Sequence, residues 1–187
     1  MPTSTNNYIN ESDFNRILAE IPHLQIRKWA DYDIKFLFKI TYNCALRMGE
    51  ACKLKKEDFN LDTRDLYLGR TKTRTNDKTV IPKNFVEELR IYLNYKDNGR
   101  LFPDLRPNTV RPWLIKLGEW LDIEAFNAPQ SLTGEKTKCH AFRKSRGKDL
   151  LYNKTPLNII QKVYRHDSLD TTSKYLKADS EAVKEIL

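Results

Sequence analysis

The sequence predicts a single α+β domain that is mainly α-helical and carries one small antiparallel sheet. Over most of the chain, apolar residues recur at the three- and four-residue spacing of helices. Two short segments on either side of residue 72 break that spacing, are rich in β-forming residues and flank a polar loop, which is typical of a hairpin. No interior segment has the composition of a linker, so we expect residues 11–187 to form one domain after a tail or linker stub at residues 1–10.

Three helices are predicted ahead of the hairpin. The first covers about Asp13 to Ala19, because apolar residues on one face follow Asn10 or Ser12, either of which can cap a helix. The second covers residues 33–45, and a short third helix follows from Met48 to Leu54. The hairpin is then the next element of the chain.

The hairpin is predicted from two segments, 65–69 and 78–82, with a turn at residues 76–77. The loop between them carries three cations, Arg70, Lys72 and Arg74. Charges on an exposed hairpin usually serve solubility. A lysine in that place can also reach over a neighbouring site as a mobile cation and proton donor.

Helical spacing returns after the hairpin. Two helices are predicted over residues 84–95 and 108–121, and the second turns inwards Val110, Trp113, Leu114, Leu117, Trp120 and Leu121. Turn-forming residues over 124–137 predict a loop. The last third is predicted to hold three helices at about 140–152, 156–164 and 169–177, with room for a tail helix at 180–187.

The charge balance favours an anionic partner. Lys and Arg number 33 against 25 Asp and Glu, which gives a formal net charge of +8 and a pI of about 9.3. Residues 133–177 hold eleven Lys and Arg and four Asp and Glu, so most of the excess lies there. A solvated basic face would have the same composition. Nucleic acid is the favoured partner over a membrane surface.

The cysteines and the N-terminus indicate an intracellular protein. Cys44, Cys52 and Cys139 form no C-x-x-C pair and are odd in number, so we expect neither a disulfide scaffold nor a metal site. A reducing compartment, the cytoplasm, fits this usage best. The chain opens without a signal-peptide pattern, and no apolar run approaches the ~20 residues that span a bilayer.

Residues able to act on a phosphodiester recur in one order along the chain. Arginine forks grip phosphate oxygens at two points, lysine and histidine move protons, and a tyrosine hydroxyl can form a covalent intermediate. The set consists of Arg47, Lys72, His140, Arg143, His166 and Tyr175. Taken one at a time, each has a plain structural alternative, such as an exposed helix arginine paired with a glutamate or a tyrosine on a half-buried helix.

In order and spacing this set resembles the catalytic domain of the tyrosine recombinase (phage integrase) family. Residues 44–54 look like the family's G-L-R-x-S-E-L-x-x-L box, with Leu46, Arg47, Glu50 and Leu54 in register and Ala45 in place of glycine. His140 and Arg143 match the family's H-x-x-R, whose two side chains share one face of a helix. Lys72-Thr73 fits the family's hairpin lysine, with Arg74 and Lys78 as weaker alternatives.

The most specific match is residues 164–175, which resemble L-G-H-x-x-x-x-T-T-x-x-Y. Nine residues at about 100° each would put His166 and Tyr175 on opposite faces of one continuous helix. We therefore expect a break between them, with Asp167 or Ser168 capping the restart. Arg165 stands where glycine is usual and lacks its freedom to adopt a positive φ, so the turn before His166 is expected to differ.

The resemblance implies a reaction. Tyr175 would attack a DNA phosphate and form a 3′-phosphotyrosyl link, freeing a 5′-hydroxyl, with Tyr164 and Tyr152 as the alternative nucleophiles. Arg47 and Arg143 would neutralise the phosphate oxygens, with Glu50 orienting its neighbours. His140 would act as the base and Lys72 as the acid. His166 would donate a hydrogen bond to the phosphate.

The resemblance also implies partners and a domain organisation. The partner would be double-stranded DNA, gripped in addition by Arg70, Arg74, Lys144, Arg146 and Lys148. Strand exchange requires several protomers, so we expect a homo-oligomer, a tetramer on DNA, with no cofactor and no metal. We expect the N-terminal core-binding domain of the family to be missing here, with the chain either a catalytic fragment or a minimal member. Two alternatives remain open, a type IB topoisomerase-like nicking and resealing enzyme and a DNA-binding protein of the same fold that does not cleave.

Overall fold

The computed structural model describes residues 8–69, 77–127 and 138–176, except for the side chains of residues 127, 138 and 174–176. The α-helices of these ranges are α1 Glu11–Glu20, α2 Asp31–Asn43, α3 Met48–Ala51, α4 Val86–Asn94, α5 Pro107–Leu121, α6 Glu124–Asn127, α7 Ala141–Tyr152, α8 Leu157–Tyr164 and α9 Leu169–Leu176. Short 3-10 helices lie at Ile21–Leu24, Lys56–Asp58, Lys83–Phe85 and Lys138–His140. The loop cations Arg70, Lys72 and Arg74 and the predicted tail helix at 180–187 lie outside the described residues.

A three-stranded antiparallel sheet confirms the predicted hairpin. Strand β2 (Asp65–Tyr67) pairs with β3 (Lys78–Val80) in a register that places Leu66 opposite Thr79. Strand β1 (Phe59–Asn60), which was not predicted, pairs with the other edge of β2. A two-residue strand has too few positions to show a period of two, so no pattern could reveal it. The predicted fold class, mainly helical with a small antiparallel sheet, is confirmed.

The packed part of the chain begins inside the predicted tail. Ile9 is fully buried, and its amide donates a hydrogen bond to Ser145 Oγ at 2.6 Å. Of the two predicted caps, Asn10 is the one used, because its side chain accepts from the amide of Asp13 at 2.8 Å. Residues 8–10 therefore belong with the domain rather than with a stub.

Helix α2 lies in the core and packs against both α4 and α7. Its side chains are buried on almost every face, which explains why it is so apolar. Phe36 stacks on Tyr92 of α4, and Phe38 packs 4.9 Å from the ring of Phe142 in α7. Burial of these aromatic rings fixes α7 against α2, whose end leads directly into Arg47.

Two predictions about the middle of the chain are corrected. Trp120 was expected to face inwards, but it is 46% exposed with the Lys116 ammonium 4.3 Å from its ring centre. A lysine ammonium, rather than the core, lies over this ring. The predicted loop over 124–137 begins with the short helix α6, and the rest of it lies outside the described residues. None of the described helices is long and apolar enough to cross a membrane.

Candidate active site

Arg47 lies at the start of α3, immediately after a tight turn. Helix α2 ends at Asn43, and Ala45 then takes a left-handed conformation with φ of 49°. That turn leaves Arg47 as the N-terminal cap of α3, where Glu50 binds it twice. Glu50 Oε2 accepts from the Arg47 amide at 2.7 Å, and Oε1 accepts from Arg47 Nη1 at 2.8 Å. The Arg47 side chain is 45% exposed, so its guanidinium faces solvent while Glu50 fixes its position.

Arg143 joins two distant segments at the site. His140 and Arg143 lie one turn apart at the start of α7, as predicted. Arg143 Nη1 donates to the carbonyl of Ala45 at 2.7 Å, and Nη2 donates to the carbonyl of Tyr164. Its guanidinium also lies 4.0 Å from Glu50 Oε2. The residue is 1% exposed, so the Arg47 segment, α7 and the end of α8 meet around one buried cation.

Tyr164 is an unsuitable nucleophile, because its hydroxyl is enclosed. The residue is fully buried, and its hydroxyl donates to the carbonyl of Arg143 at 3.0 Å. Gly147 makes this packing possible, since a Cβ at that position would lie 1.6 Å from the tyrosine oxygen. A DNA phosphate cannot reach this hydroxyl without unpacking α7 from α8.

The turn before His166 forms in spite of the missing glycine. Arg165 takes φ of 56°, the left-handed region that glycine favours, and ends α8. The expectation that this arginine would alter the turn assumed that it would avoid a positive φ, which it does not. The amide of His166 then donates to the carbonyl of Gln161 at 3.1 Å. Hydrogen bonds of the helix end therefore outweigh the backbone preference of arginine.

The predicted break between His166 and Tyr175 is confirmed. Helix α8 ends at Tyr164, and α9 restarts at Leu169 with Ser168 Oγ accepting from the amide of Thr171 at 3.1 Å. The buried Thr172 hydroxyl lies 3.0 Å from His166 Nδ1 and so fixes the imidazole ring. By its backbone, Tyr175 lies in the last turn of α9, and its side chain is outside what the structure describes.

Burial and the nearby positive charge keep both histidines neutral at neutral pH. Burial, followed by the charges of Arg143 and Arg47, lowers the pKa of His140 below its usual 6.5. Burial and the same two arginines, with Arg165, lower the pKa of His166 to about 4. Burial also opposes ionisation of Glu50, but Arg165 and the hydrogen bonds from Arg47 outweigh it and lower the pKa of that carboxyl. The site is thus a cluster of arginines around Glu50 with two neutral imidazoles.

We expect the rings of His140 and His166 to titrate below pH 6.5, with His166 near pH 4. The folded pKa lies below the unfolded value, so each ring contributes stability that is complete above pH 6.5 and is lost as the pH falls. Nitrogen-15 NMR titration, with His→Gln variants to assign the signals, measures this directly. A midpoint at or above 6.5 for either ring would contradict the lowering of its pKa by burial and the arginines.

The structure describes three of the predicted DNA-contacting residues, and it contradicts one of them. Lys148 is 2% exposed and its ammonium lies 4.8 Å from the Tyr8 ring centre, so we remove it from the DNA-contacting set. Arg146 is half-buried, and burial lowers the pKa of its guanidinium. Lys144 is half-buried. Lys78, the weaker alternative for the acid, pairs with Asp65 on the sheet at 3.2 Å.

Two contributions to the site were not found from the sequence. Thr172 orients the imidazole of His166, and Arg165 forms ion pairs with Glu50 and Asp77 at 2.6 and 3.1 Å. The sequence shows the paired threonines and the arginine in place of glycine, but it does not show which residues they contact. A separate cavity of about 350 Å³, lined by Trp29, Asp33 and Lys96 among others, contains none of the site residues.

Comparison with known proteins identifies the family of the chain. Residues 7–182 match the phage integrase family. The chain is 27% identical over 188 residues to the tyrosine recombinase XerA of Thermococcus kodakarensis, covering 98% of this chain and 62% of that protein. The chain therefore spans about three fifths of the length of this relative.

Solved structures share the fold. The catalytic domain of bacteriophage HP1 integrase superposes with a TM-score of 0.66 at 19% identity, covering 96% of this chain and 92% of that one. The XerH site-specific recombinase in its post-cleavage complex with palindromic difH substrate gives a TM-score of 0.68 at 18% identity, covering 98% and 53%. The motif-bearing segments meet around Arg143, and the family match covers nearly the whole chain. This chain therefore belongs to the phage integrase family.

Proposed function

We propose that this chain is the catalytic part of a site-specific DNA recombinase that cleaves and rejoins DNA through a 3′-phosphotyrosyl intermediate. The observation that carries the proposal is the junction at Arg143, which brings the Arg47 box, His140 and the turn before His166 to one place. Its partner would be double-stranded DNA, as for the DNA-bound recombinase XerH, and strand exchange would need a homo-oligomer on that DNA.

In the first step, the Tyr175 oxygen would attack phosphorus while the bond from phosphorus to the 5′-oxygen breaks. Lys72 would give the leaving 5′-oxygen a proton, so that a 5′-hydroxyl is released. The tyrosine proton would pass to His140, whose lowered pKa leaves the imidazole neutral and able to accept it. Such a histidine is a weak base, so Arg47 and Arg143 would assist by stabilising the charge that develops on the phosphate. Arg143 is covered by its two carbonyl partners, so its contact with a phosphate would require a local opening of the site.

The second step would reverse the first. A 5′-hydroxyl from another strand would attack the phosphotyrosyl link and give its proton to Lys72, and the leaving tyrosine would regain its proton from His140. The covalent link retains the energy of the broken phosphodiester bond, so no nucleotide cofactor or metal is required by the reaction as proposed. His166, neutral and fixed by Thr172, would donate a hydrogen bond to the phosphate.

Trapping on a nicked suicide substrate tests the proposal. The cleaved end diffuses away from such a substrate, so a phosphotyrosyl enzyme should accumulate, and peptide mapping should place the DNA on Tyr175. Binding without any adduct would favour the non-cleaving alternative. Relaxation of supercoils by the assembled protein without joining of two sites would favour the topoisomerase-like alternative.

Lys72→Ala should slow adduct formation about 10²-fold on ordinary DNA and much less on DNA with a 5′-bridging sulfur. A thiolate leaves without a proton, so removing an acid matters little there. Single-turnover cleavage of the two substrates measures the difference. Arg74→Ala and Lys78→Ala are the matched controls, and rescue by sulfur in either of these but not in Lys72→Ala would assign the acid elsewhere on the hairpin.

A further inference from the structure

Arg165 is a buried cation in an unfavourable backbone conformation. Its φ of 56° costs free energy in any residue except glycine, and its side chain is only 3% exposed. The guanidinium nevertheless reaches three partners. Nη2 donates to Glu50 Oε2 at 2.6 Å, Nε donates to Asp77 Oδ2 at 3.1 Å, and Nη1 donates to the carbonyl of Val163 at 3.4 Å. A buried arginine in a strained backbone conformation indicates that its side-chain contacts have a functional or structural role.

Asp77 closes the base of the hairpin. Its carbonyl accepts from the amide of Leu68 at 2.8 Å, and its own amide donates to the carbonyl of Gly69. The loop of residues 70–76, which contains Lys72, joins Gly69 to Asp77. The Asp77 side chain is buried, so its ion pair with Arg165 fixes the end of the loop to the turn before His166.

Glu50 continues the same chain of ion pairs to the phosphate-gripping side of the site. Its Oε2 accepts from both the Arg47 amide and Arg165 Nη2, and its Oε1 binds the Arg47 guanidinium. An uninterrupted series of charged contacts therefore runs from Asp77 through Arg165 and Glu50 to Arg47. A lysine at 165 could not join two carboxylates through separate nitrogens in this way, because it has a single ammonium.

We infer that Arg165 is a positioning residue, which sets the base of the hairpin, and with it the leaving-group acid on the loop, relative to the phosphate grip of Arg47. The inference rests on the proposed DNA-cleaving function. Arg165 need not touch DNA for this role. The competing explanation is an ion-pair network that only stabilises the fold, and such a network would affect all steps of cleavage alike.

The test compares Arg165→Gly with Arg64→Gly in single-turnover adduct formation. Arg64 is a matched control, since it also has a positive φ, of 58°, but its side chain is exposed in the β1–β2 turn. Both variants replace an arginine by the residue that suits the backbone. Arg165→Gly should form the adduct about tenfold or more slowly on ordinary DNA. On DNA with a 5′-bridging sulfur it should lose less than about threefold, whereas Arg64→Gly should match the wild type on both.

An equal loss on the two substrates, or no loss, would overturn the inference. The readout does not depend on which loop residue is the acid, because sulfur removes the need for any acid. If Arg165→Gly does not fold by circular dichroism, Asp77→Ala removes the carboxylate and breaks the same link from the hairpin side, and the same selective loss is expected of it. Failure of the wild type to form an adduct on either substrate would instead refute the proposed function, so the two failures are distinguishable.

Discussion

Tyr175→Phe is expected to lower adduct formation at least about 10³-fold, to below detection, because it removes the attacking oxygen. DNA affinity should stay within about fivefold, since one neutral hydrogen bond contributes about 1 kcal/mol. The variant loses a single hydroxyl near the end of α9. Suicide-substrate trapping measures the adduct, and a filter or gel assay on an uncleaved duplex measures the affinity.

Two other tyrosines serve as controls for this prediction. Tyr152→Phe changes a half-buried ring that packs 6.1 Å from Tyr8, and adduct formation should stay near the wild-type level. Tyr164→Phe removes a buried hydroxyl that donates to the carbonyl of Arg143, so it should lower stability and leave an adduct that still maps to Tyr175. A persistent adduct in Tyr175→Phe would refute the assignment and leave Tyr152 as the better candidate.

Arg143→Lys is expected to reduce cleavage about 10²-fold or more and also to destabilise the fold, although it keeps the positive charge. Arg143 donates to two carbonyls, those of Ala45 and Tyr164, from separate nitrogens. One ammonium cannot take both places, so one buried carbonyl loses its partner at a cost of about 2 kcal/mol. For a chain of this size the melting temperature should fall by about 4–8 °C.

Arg16→Lys is the matched control for Arg143→Lys. Arg16 also donates to a main-chain carbonyl, that of Leu121 at 2.9 Å, but its side chain is half exposed and lies on α1. Water can replace this bond, so melting temperature and cleavage should both stay near wild-type values. If Arg143→Lys behaves like Arg16→Lys in both measurements, Arg143 is neither the junction of the site nor part of the phosphate grip.

Patterns within short stretches of the chain were sufficient for most of the secondary structure. The hairpin follows from two β-forming segments around a polar loop, and the break between His166 and Tyr175 follows from helical geometry with a serine cap. The order of the reactive side chains was likewise sufficient to predict the family and the positions of Arg47, His140 and Arg143 near one another. The predictions of helices, turns and caps succeed because capping, turn formation and side-chain periodicity act over a few residues, whereas the meeting of Arg47 with Arg143 was implied only by the family resemblance.

Contacts between distant segments depended on how the elements pack. Arg165 forms ion pairs with Asp77, 88 positions away, and with Glu50, 115 positions away. Lys148 was predicted to contact DNA, but its ammonium lies over the Tyr8 ring. Arg165 also accepts a positive φ that its own preference opposes. The free energy that decides these conformations comes from ion pairs and buried apolar surfaces. These form only when α7, α8 and the hairpin are in contact, so they cannot be predicted from short stretches of the sequence.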